Sequence, residues 1–116
     1  MLAETCLFCR IIRGEAKAAI VHRDEKVVAF HDIHPVAPTH ILIVPTKHLA
    51  SLQELQKEDL ELLGSMMAVA REVGGGEGRA SGGYRLVINT GADAGQSVPH
   101  LHMHLLAGRR MQWPPG

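Results

Sequence analysis

One segment near the end of the chain constrains the fold more than any other, because three histidines alternate with apolar residues between positions 99 and 106. Side chains of a β-strand point alternately to opposite faces of the sheet, whereas steps of two residues on a helix would scatter the histidines around its axis. We therefore predict a strand that begins at Pro99, a residue suited to the first position of a strand. The imidazole face holds His100, His102 and His104, and the core face holds Leu101, Met103 and Leu105.

Three imidazoles on one face of a strand suit two kinds of chemistry. A neutral imidazole is a good nucleophile and proton carrier near neutral pH, and an imidazolium stabilises the charge of a phosphate. Neighbouring imidazoles also bind metals, although a catalytic zinc needs a further ligand and an open position. The pattern by itself leaves phosphoryl transfer, metal binding and a purely structural role for hydrogen-bonded histidines as alternatives. Under the first alternative His102 is the central residue, because the other two histidines flank it.

A loop of small residues at positions 89–97 leads directly into the histidine segment. Glycine-rich loops of this kind bring backbone N–H groups close to an anion, and Ser97 adds a hydroxyl. If the chemistry is phosphoryl transfer, Asn89 and the backbone of 95–97 are placed to bind the non-bridging oxygens. His104 is then expected to hold a phosphate oxygen, and Ser97 to serve the leaving group.

The composition limits the class of protein. With 116 residues, of which 46% are hydrophobic, the chain is long enough for one compact domain spanning 1–116. Lysine and arginine number 12 and are balanced by 12 acidic residues, which argues against a nucleic-acid partner. No apolar run approaches the ~20 residues of a membrane span, and no signal peptide is recognisable. The two cysteines suit a reducing compartment, so a cytoplasmic protein without membrane partners is expected.

The rest of the chain predicts an α+β domain. A short helix over 6–13 is predicted to be capped by Thr5 and ended by Gly14, and a long helix covers 57–73. Apolar residues surround much of the long helix, as in a helix packed between a sheet and a second subunit. With the histidine segment the strands number about five, and short polar turns favour an antiparallel sheet. The other predicted strands are 19–22, 27–32, 40–44 and 84–90.

A glycine-rich stretch at 74–83 connects the long helix to the next strand. It follows a helix and precedes a strand, which is the wrong order for a P-loop. Gly74 is predicted as the C-cap of the helix, and the remainder as a flexible connection.

Cys6 and Cys9 form a CxxC pair. Such a pair supplies half of a zinc site, a redox couple, or two buried cysteines. A redox role usually accompanies a βαβ pattern, which this sequence lacks. A structural zinc completed by two histidines remains one of the open alternatives.

Taken together, these motifs resemble the histidine-triad (HIT) family, and in particular its nucleotide-binding HINT branch. The segment His100-Leu101-His102-Met103-His104-Leu105-Leu106 resembles the family motif His-x-His-x-His followed by apolar residues. Further similar motifs run through nearly the whole chain, in the order and spacing of the family. They are Phe30-His31-Asp32-Ile33, Ala37-Pro38-Thr39-His40, Gly95-Gln96-Ser97 and Trp113-Pro114-Pro115-Gly116.

The resemblance implies a HIT-like α+β fold with a five-stranded antiparallel sheet, one long helix and a short amino-terminal helix, assembled as a homodimer. It also implies hydrolysis of the P–N bond of purine nucleoside phosphoramidates, such as adenylyl-amines and AMP-lysine. By similarity, His102 is the nucleophile that forms a covalent nucleotidyl-histidine, which water then cleaves. The expected partners are AMP, GMP and their phosphoramidates.

The resemblance further assigns residues to the site. Asp32 matches the residue that holds the ribose hydroxyls, as suits a carboxylate that accepts two O–H bonds. His40 matches a histidine just behind the triad. The implied catalytic set is His102, Ser97, His104, His100 and His40. The implied nucleotide contacts add Asn89, Gly95 and Gln96 at the phosphate, and Leu7, Phe8, Ile11, Phe30, Ile33 and Leu42 around the base.

Some members of the resembled family bind a structural zinc through a CxxC pair and two histidines. The matching residues here are Cys6, Cys9, His48 and His100, and no redox cofactor is implied. Two alternatives to the phosphoramidase stay in view. A dinucleoside polyphosphate hydrolase is disfavoured by the Trp-Pro-Pro-Gly end, and a non-catalytic nucleotide-sensing or scaffold protein is disfavoured by the intact His102 and Ser97.

Overall fold

The computed structural model describes residues 3–75 and 81–116. Within these ranges the chain forms two α-helices and five β-strands, with short 3-10 helices at Ala3–Thr5, Leu52–Glu54 and Lys57–Asp59. The α-helices are α1 (Leu7–Ile12) and α2 (Leu60–Gly74). The strands are β1 (Ile20–Arg23), β2 (Val27–His31), β3 (Thr39–Pro45), β4 (Tyr84–Val87) and β5 (Met103–Ala107).

The five strands form one antiparallel sheet in the order β1-β2-β3-β5-β4. The predicted α+β architecture, with one long helix and a short amino-terminal one, is therefore confirmed. Because β5 lies between β3 and β4, the last strand of the chain is in the interior of the sheet. The histidine segment thereby reaches side chains that come from the first half of the sequence.

Each face of the sheet is covered by a different helix. The long helix α2 packs on one face through Met66, Val69, Ala70 and Val73. The short helix α1 packs on the other through Phe8, Cys9 and Ile11. The sheet contributes to the α2 core Val27, Ala29, Ile41, Ile43, Met103, Leu105 and Ala107, and Leu101 joins them from the segment before β5. It contributes to the α1 core Val28, Phe30, Leu42 and Val44.

The predicted start of the histidine strand at Pro99 is wrong, because β5 begins at Met103. The antiparallel register that pairs Ile43 with Met103 would next pair Pro45 with Leu101. Pro45 has no N–H to donate, so the ladder stops there. The Leu101 N–H donates instead to the Leu49 carbonyl at 2.7 Å. The alternation of faces nevertheless continues through the segment, since Leu101 lies in the α2 core.

Two predicted helix caps are displaced by one residue. The N-cap of α1 is Cys6 rather than Thr5, and its sulfur accepts the N–H of Cys9 at 3.5 Å. The long helix ends with Gly74, and Gly75 rather than Gly74 is its C-cap. A Cβ at Gly74 would lie 2.7 Å from the Tyr84 ring, so close packing requires glycine there.

The remaining differences are at element ends. The first turn of the predicted long helix is a 3-10 turn, Lys57–Asp59, and the strand predicted over 84–90 ends at Val87. Within the predicted flexible connection, residues 76–80 lie outside the described part of the chain. None of the helices within 3–75 and 81–116 is both long and apolar enough to cross a membrane.

Candidate active site

A cavity of about 490 Å³ opens between α1 and the sheet. One row of paired residues crosses its floor, because Phe30 pairs with Leu42 and Leu42 pairs with His104. Helix α1 forms the opposite wall, and the loop between β2 and β3 forms the rim. The lining residues are Leu7, Phe8, Ile11, Lys17, Ala18, Phe30, His31, Asp32, Ile33, His34, Val36, His40, Leu42, Ser97, Val98, His102 and His104.

Most of the residues that the sequence singled out meet in this cavity. It is lined by Asp32, by Ser97, by three of the histidines and by all the apolar residues proposed to surround the base. Asn89, Gly95, Gln96 and His100 are not among its lining residues. Gln96 instead holds the 91–96 loop, since its side chain accepts the N–H of Gly91 at 3.0 Å and donates to the Ala50 carbonyl at 2.7 Å.

Sequence reasoning missed six lining residues: Lys17, Ala18, His31, His34, Val36 and Val98. Of these, Lys17 and Ala18 precede β1. The predicted hairpin of 19–22 and 27–32 places this segment beside the end of β2. Their position could therefore have been predicted from the pairing of these two strands. The side chain of Val36 is 60% exposed on the rim, where its carbonyl accepts Arg109 Nε at 3.1 Å.

His102 lies at the bottom of the cavity with one ring nitrogen already engaged. Its Nδ1–H donates to the His100 carbonyl at 2.6 Å. A carbonyl only accepts, so the ring proton is at Nδ1 and the Nε2 lone pair is free. The Phe8 ring packs edge-on against the imidazole, with centroids 5.1 Å apart. Burial lowers the pKa of His102, which keeps the imidazole neutral and nucleophilic.

The proton positions of His40 and His104 follow from a backbone donor. The N–H of Val36 donates to His40 Nδ1 at 3.1 Å, which places the ring proton of His40 at Nε2. That Nε2–H donates to His104 Nδ1 at 2.9 Å. His104 in turn carries its own proton at Nε2. Burial is the largest influence on both rings, lowering the pKa of His40 and lowering that of His104 to about 4.

Asp32 faces the same pair of histidines. One of its oxygens accepts the backbone N–H of His34 at 2.8 Å, and the other lies 3.4 Å from His40 Nε2. Asp32, His40 and His104 are close enough to share a metal ion. The Val36 N–H, however, leaves a proton on His40 Nε2, so a hydrogen-bonded arrangement accounts for their proximity. The carboxylate therefore keeps acceptor capacity for hydroxyl groups.

A second cluster lies behind the cavity, where Cys6, Cys9, His48 and His100 bring their ligand atoms within 4.8 Å of one another. His100 Nδ1 is 3.3 Å from Cys6 Sγ and 3.2 Å from His48 Nδ1, and Cys9 Sγ is 3.3 Å from His48 Nδ1. Tetrahedral zinc with sulfur and nitrogen ligands separates the ligand atoms by about 3.3–3.8 Å.

The donor chemistry of this cluster also fits zinc. His100 Nε2–H donates to the Pro45 carbonyl at 2.9 Å, so Nδ1 faces the cysteines as a free lone pair. A histidine ligand commonly donates its other N–H to a carbonyl in this way. Burial raises the pKa of the Cys9 thiol to about 11 and lowers that of His100 to about 4. The residues present therefore fit a Cys2His2 metal centre.

An antiparallel sheet that presents alternating histidines to a cleft defines a histidine-triad type of protein. The family model for the HIT domain matches residues 13–111, and the chain belongs to the HIT family. It is 48% identical to a 14 kDa zinc-binding protein of Zea mays over 112 residues, which are 95% of this chain and 87% of that one.

Two solved structures are also similar. A HIT family hydrolase from Legionella pneumophila Philadelphia 1 superposes with a TM-score of 0.93 at 47% identity, covering 97% of this chain and 100% of that chain. A Zn-bound histidine triad family protein from Mycobacterium smegmatis superposes with a TM-score of 0.81 at 29% identity, covering 93% and 78%. The chain is thus related to HIT family hydrolases.

Proposed function

We propose that this HIT protein belongs to the HINT branch and hydrolyses the P–N bond of purine nucleoside phosphoramidates. The observation that carries the proposal is the state of His102. Its Nδ1–H is bound to the His100 carbonyl at 2.6 Å, and its free Nε2 belongs to a residue lining the cavity. A neutral imidazole held in one tautomer is prepared for nucleophilic attack.

The reaction proceeds in two displacements. In the first, the Nε2 lone pair of His102 attacks phosphorus, an N–P bond to the enzyme forms and the P–N bond to the amine breaks. The amine leaves with the electron pair and takes up a proton, for which the Ser97 hydroxyl is the proposed donor. In the second, water attacks phosphorus and its proton passes to the Ser97 oxygen, while the His102–phosphorus bond breaks and the electron pair returns to Nε2. The products are the free amine and the nucleoside monophosphate.

The remaining polar groups serve binding. His104 carries its proton at Nε2 and is proposed to donate it to a phosphate oxygen, while His40 holds His104 in that tautomer at 2.9 Å. His100 fixes His102 through its carbonyl. Asp32 is proposed to accept the ribose hydroxyls. Asn89, Gly95 and Gln96 lie off the cavity wall, so the phosphate contact proposed for their loop rests on Ser97, which lines it.

The base is proposed to bind between α1 and the sheet. Leu7, Phe8, Ile11, Phe30, Ile33 and Leu42 line this part of the cavity. Ile33 is 80% and Leu7 45% exposed, so a purine inserted here would cover apolar surface. The proposed ligands are AMP, GMP and their phosphoramidates.

We also propose that Cys6, Cys9, His48 and His100 hold a structural zinc ion. The spacing and donor set described above support it, as does the similarity to a zinc-binding protein and a Zn-bound structure. Zinc supplies a rigid link and an orienting bond to His100 when bound. The carbonyl of the same residue holds the tautomer of His102.

A homodimer is proposed from the exposed face of α2. Leu60 is 56% and Met67 49% exposed, and Gly64 lies between them on the same face with open space around it. Two such faces can approach closely and cover each other. Light scattering should return twice the 12.6 kDa chain mass, and half that value for Met67→Glu. A wild-type protein of single-chain mass at micromolar concentration contradicts the dimer.

Hydrolysis of an adenosine phosphoramidate by the wild type and by His102→Ala tests the activity. We expect the variant to lose at least about 10³-fold in kcat, because its nucleophile is absent. Mass spectrometry of the acid-quenched wild type should find an added nucleotidyl mass that the variant lacks. His22→Ala is the matched control, since His22 bonds Asp24 on the surface.

A dinucleoside polyphosphate serves as the comparison substrate. Faster cleavage of that substrate than of the phosphoramidate would place the chain with a polyphosphate hydrolase. Nucleotide binding without turnover of either substrate would leave a sensing role instead.

A further inference from the structure

Lys17 lines the cavity and has no part in the chemistry described above. It lies just before β1, which is an edge strand of the sheet and is separated from the histidine strand β5 by β2 and β3. Among residues 3–75 and 81–116, no hydrogen bond or ion pair engages its ammonium group, whereas Lys47 donates to Asp59 at 2.7 Å. Its ammonium group is therefore available to bind a ligand in the cavity.

The strand register indicates which part of a bound nucleotide Lys17 would contact. From His104 the row passes to Leu42, then to Phe30 and then to Ile20, one strand at each step. Neighbouring strands are about 4.8 Å apart, so Phe30 lies roughly 10 Å and β1 roughly 14 Å from the histidine strand. A nucleotide whose phosphate is at His104 therefore places its base near Phe30.

The segment before β1 continues along the edge of this base region. The N–H of His31 donates to the Ala19 carbonyl at 3.0 Å, so the segment that leads into β1 approaches the end of β2. Ala18 packs against the α1 core. Lys17 and Ile33 both line the cavity, and Lys17 lies at the β1 end of the apolar region, away from His102 and His104.

The hydrogen-bonding chemistry of lysine distinguishes the purines. An ammonium group offers three donors and no acceptor. Guanine and hypoxanthine present two adjacent acceptors, O6 and N7, whereas adenine presents a donating amino group beside N7. A lysine at the edge of the base therefore favours the 6-oxopurines.

We propose that Lys17 makes this site selective for 6-oxopurine nucleotides, with its ammonium donating to O6 and N7 of the base. The inference rests on the proposed nucleotide site, and it adds the preferred base to it. His31 and His34 are the other basic side chains at this end of the cavity. Because Lys17 is exposed, we expect a moderate preference for GMP over AMP, about three- to tenfold in Kd.

Isothermal titration of GMP, IMP and AMP tests the proposal without depending on turnover. Wild type should bind GMP and IMP equally well, because both have O6 and N7, and AMP more weakly. Lys17→Met should bring the GMP to AMP ratio of Kd values to about one. Lys17→Glu should reverse the preference, since a carboxylate accepts from the adenine amino group.

Lys26→Met is the matched control, because Lys26 lies in the turn between β1 and β2 at the other end of these strands. It should keep the wild-type ratio. A ratio near one in the wild type, or a ratio that Lys17→Met leaves unchanged, overturns the role of Lys17. Nucleotide binding with that selectivity but no phosphoramidate turnover would instead refute the proposed reaction and leave this inference standing. If none of the three nucleotides binds, both proposals fail.

Discussion

At the scale of single residues, the site is defined by where three histidines keep their protons. The His100 carbonyl takes the Nδ1–H of His102, the Pro45 carbonyl takes the Nε2–H of His100, and the Val36 N–H occupies Nδ1 of His40. Each backbone group selects one tautomer. Identical side chains thereby suit the different tasks proposed for them: nucleophile, metal ligand and support.

Burial of His104 predicts a pH dependence of stability. Its pKa falls from 6.5 to about 4 on folding, so below pH 6.5 the unfolded chain binds a proton that the native state does not. The stabilisation is complete above pH 6.5 and is lost as the pH falls towards 4. Between these values the free energy of unfolding of His104→Asn should decline less steeply with falling pH than that of wild type. The difference between the two slopes should correspond to up to about one bound proton.

Urea unfolding of both proteins at pH 7, 6 and 5 measures this difference. His22→Asn, a surface substitution, should keep the wild-type slope. Parallel slopes for wild type and His104→Asn would show that His104 does not contribute.

At the scale of elements, α1 contacts both sites. Its N-cap Cys6 and its residue Cys9 belong to the metal cluster, and Phe8 between them packs on the rings of His100 and His102 with centroids 5.8 and 5.1 Å away. Leu7 and Ile11 line the cavity. Any displacement of this six-residue helix therefore alters the proposed base region and the surroundings of His102 together.

The turn after β5 depends on a glycine. Gly108 has φ +93, and a Cβ there would lie 2.8 Å from Cβ of Pro38 in the loop before β3. Gly108→Ala should destabilise the fold by about 1–3 kcal/mol, since it combines backbone strain with a clash. Chemical unfolding measures the change.

Gly82→Ala is the matched control. A Cβ at Gly82 meets no atom within 4 Å, and its φ is outside the left-handed region. Its effect should stay within about 0.5 kcal/mol. Equal effects of the two substitutions would exclude the proposed strain at Gly108.

At the scale of the whole molecule, the metal cluster joins distant parts of the chain. Cys6 and Cys9 come from the N-cap and the body of α1, His48 from the segment after β3, and His100 from the segment before β5, and the first and last ligands are 94 positions apart in the sequence. A bound ion would tie the amino-terminal helix to the segment that carries His102, the proposed nucleophile. Its removal should therefore loosen the fold as well as the site.

Cys9→Ser tests the proposed zinc site and leaves the cap sulfur of Cys6 in place. Elemental analysis should find about one zinc per chain in wild type and little in the variant, with a Tm lower by about 5 °C or more. A strong chelator should lower the Tm of wild type and leave that of the variant unchanged. Equal zinc content in the two proteins would rule out these ligands.

Much of this protein is determined by local sequence pattern. Alternation of His and apolar residues in 100–106 established the two faces of the segment, because side-chain direction in extended backbone has a period of two. The strong apolar runs likewise predicted the strands and α2. Element ends were less determined: β5 starts at Met103 because Pro45, on a neighbouring strand, cannot extend the ladder.

Only the tertiary structure decided which residues meet. The strand order places β5 beside β3, which brings His104 to His40 and His100 to the cysteines of α1. It also places Lys17 on the cavity wall and leaves Asn89 off it. These contacts join residues far apart in the chain, and the periodicity of one segment carries no information about its distance from another. Local pattern therefore determined the faces and elements, and long-range pairing determined the site.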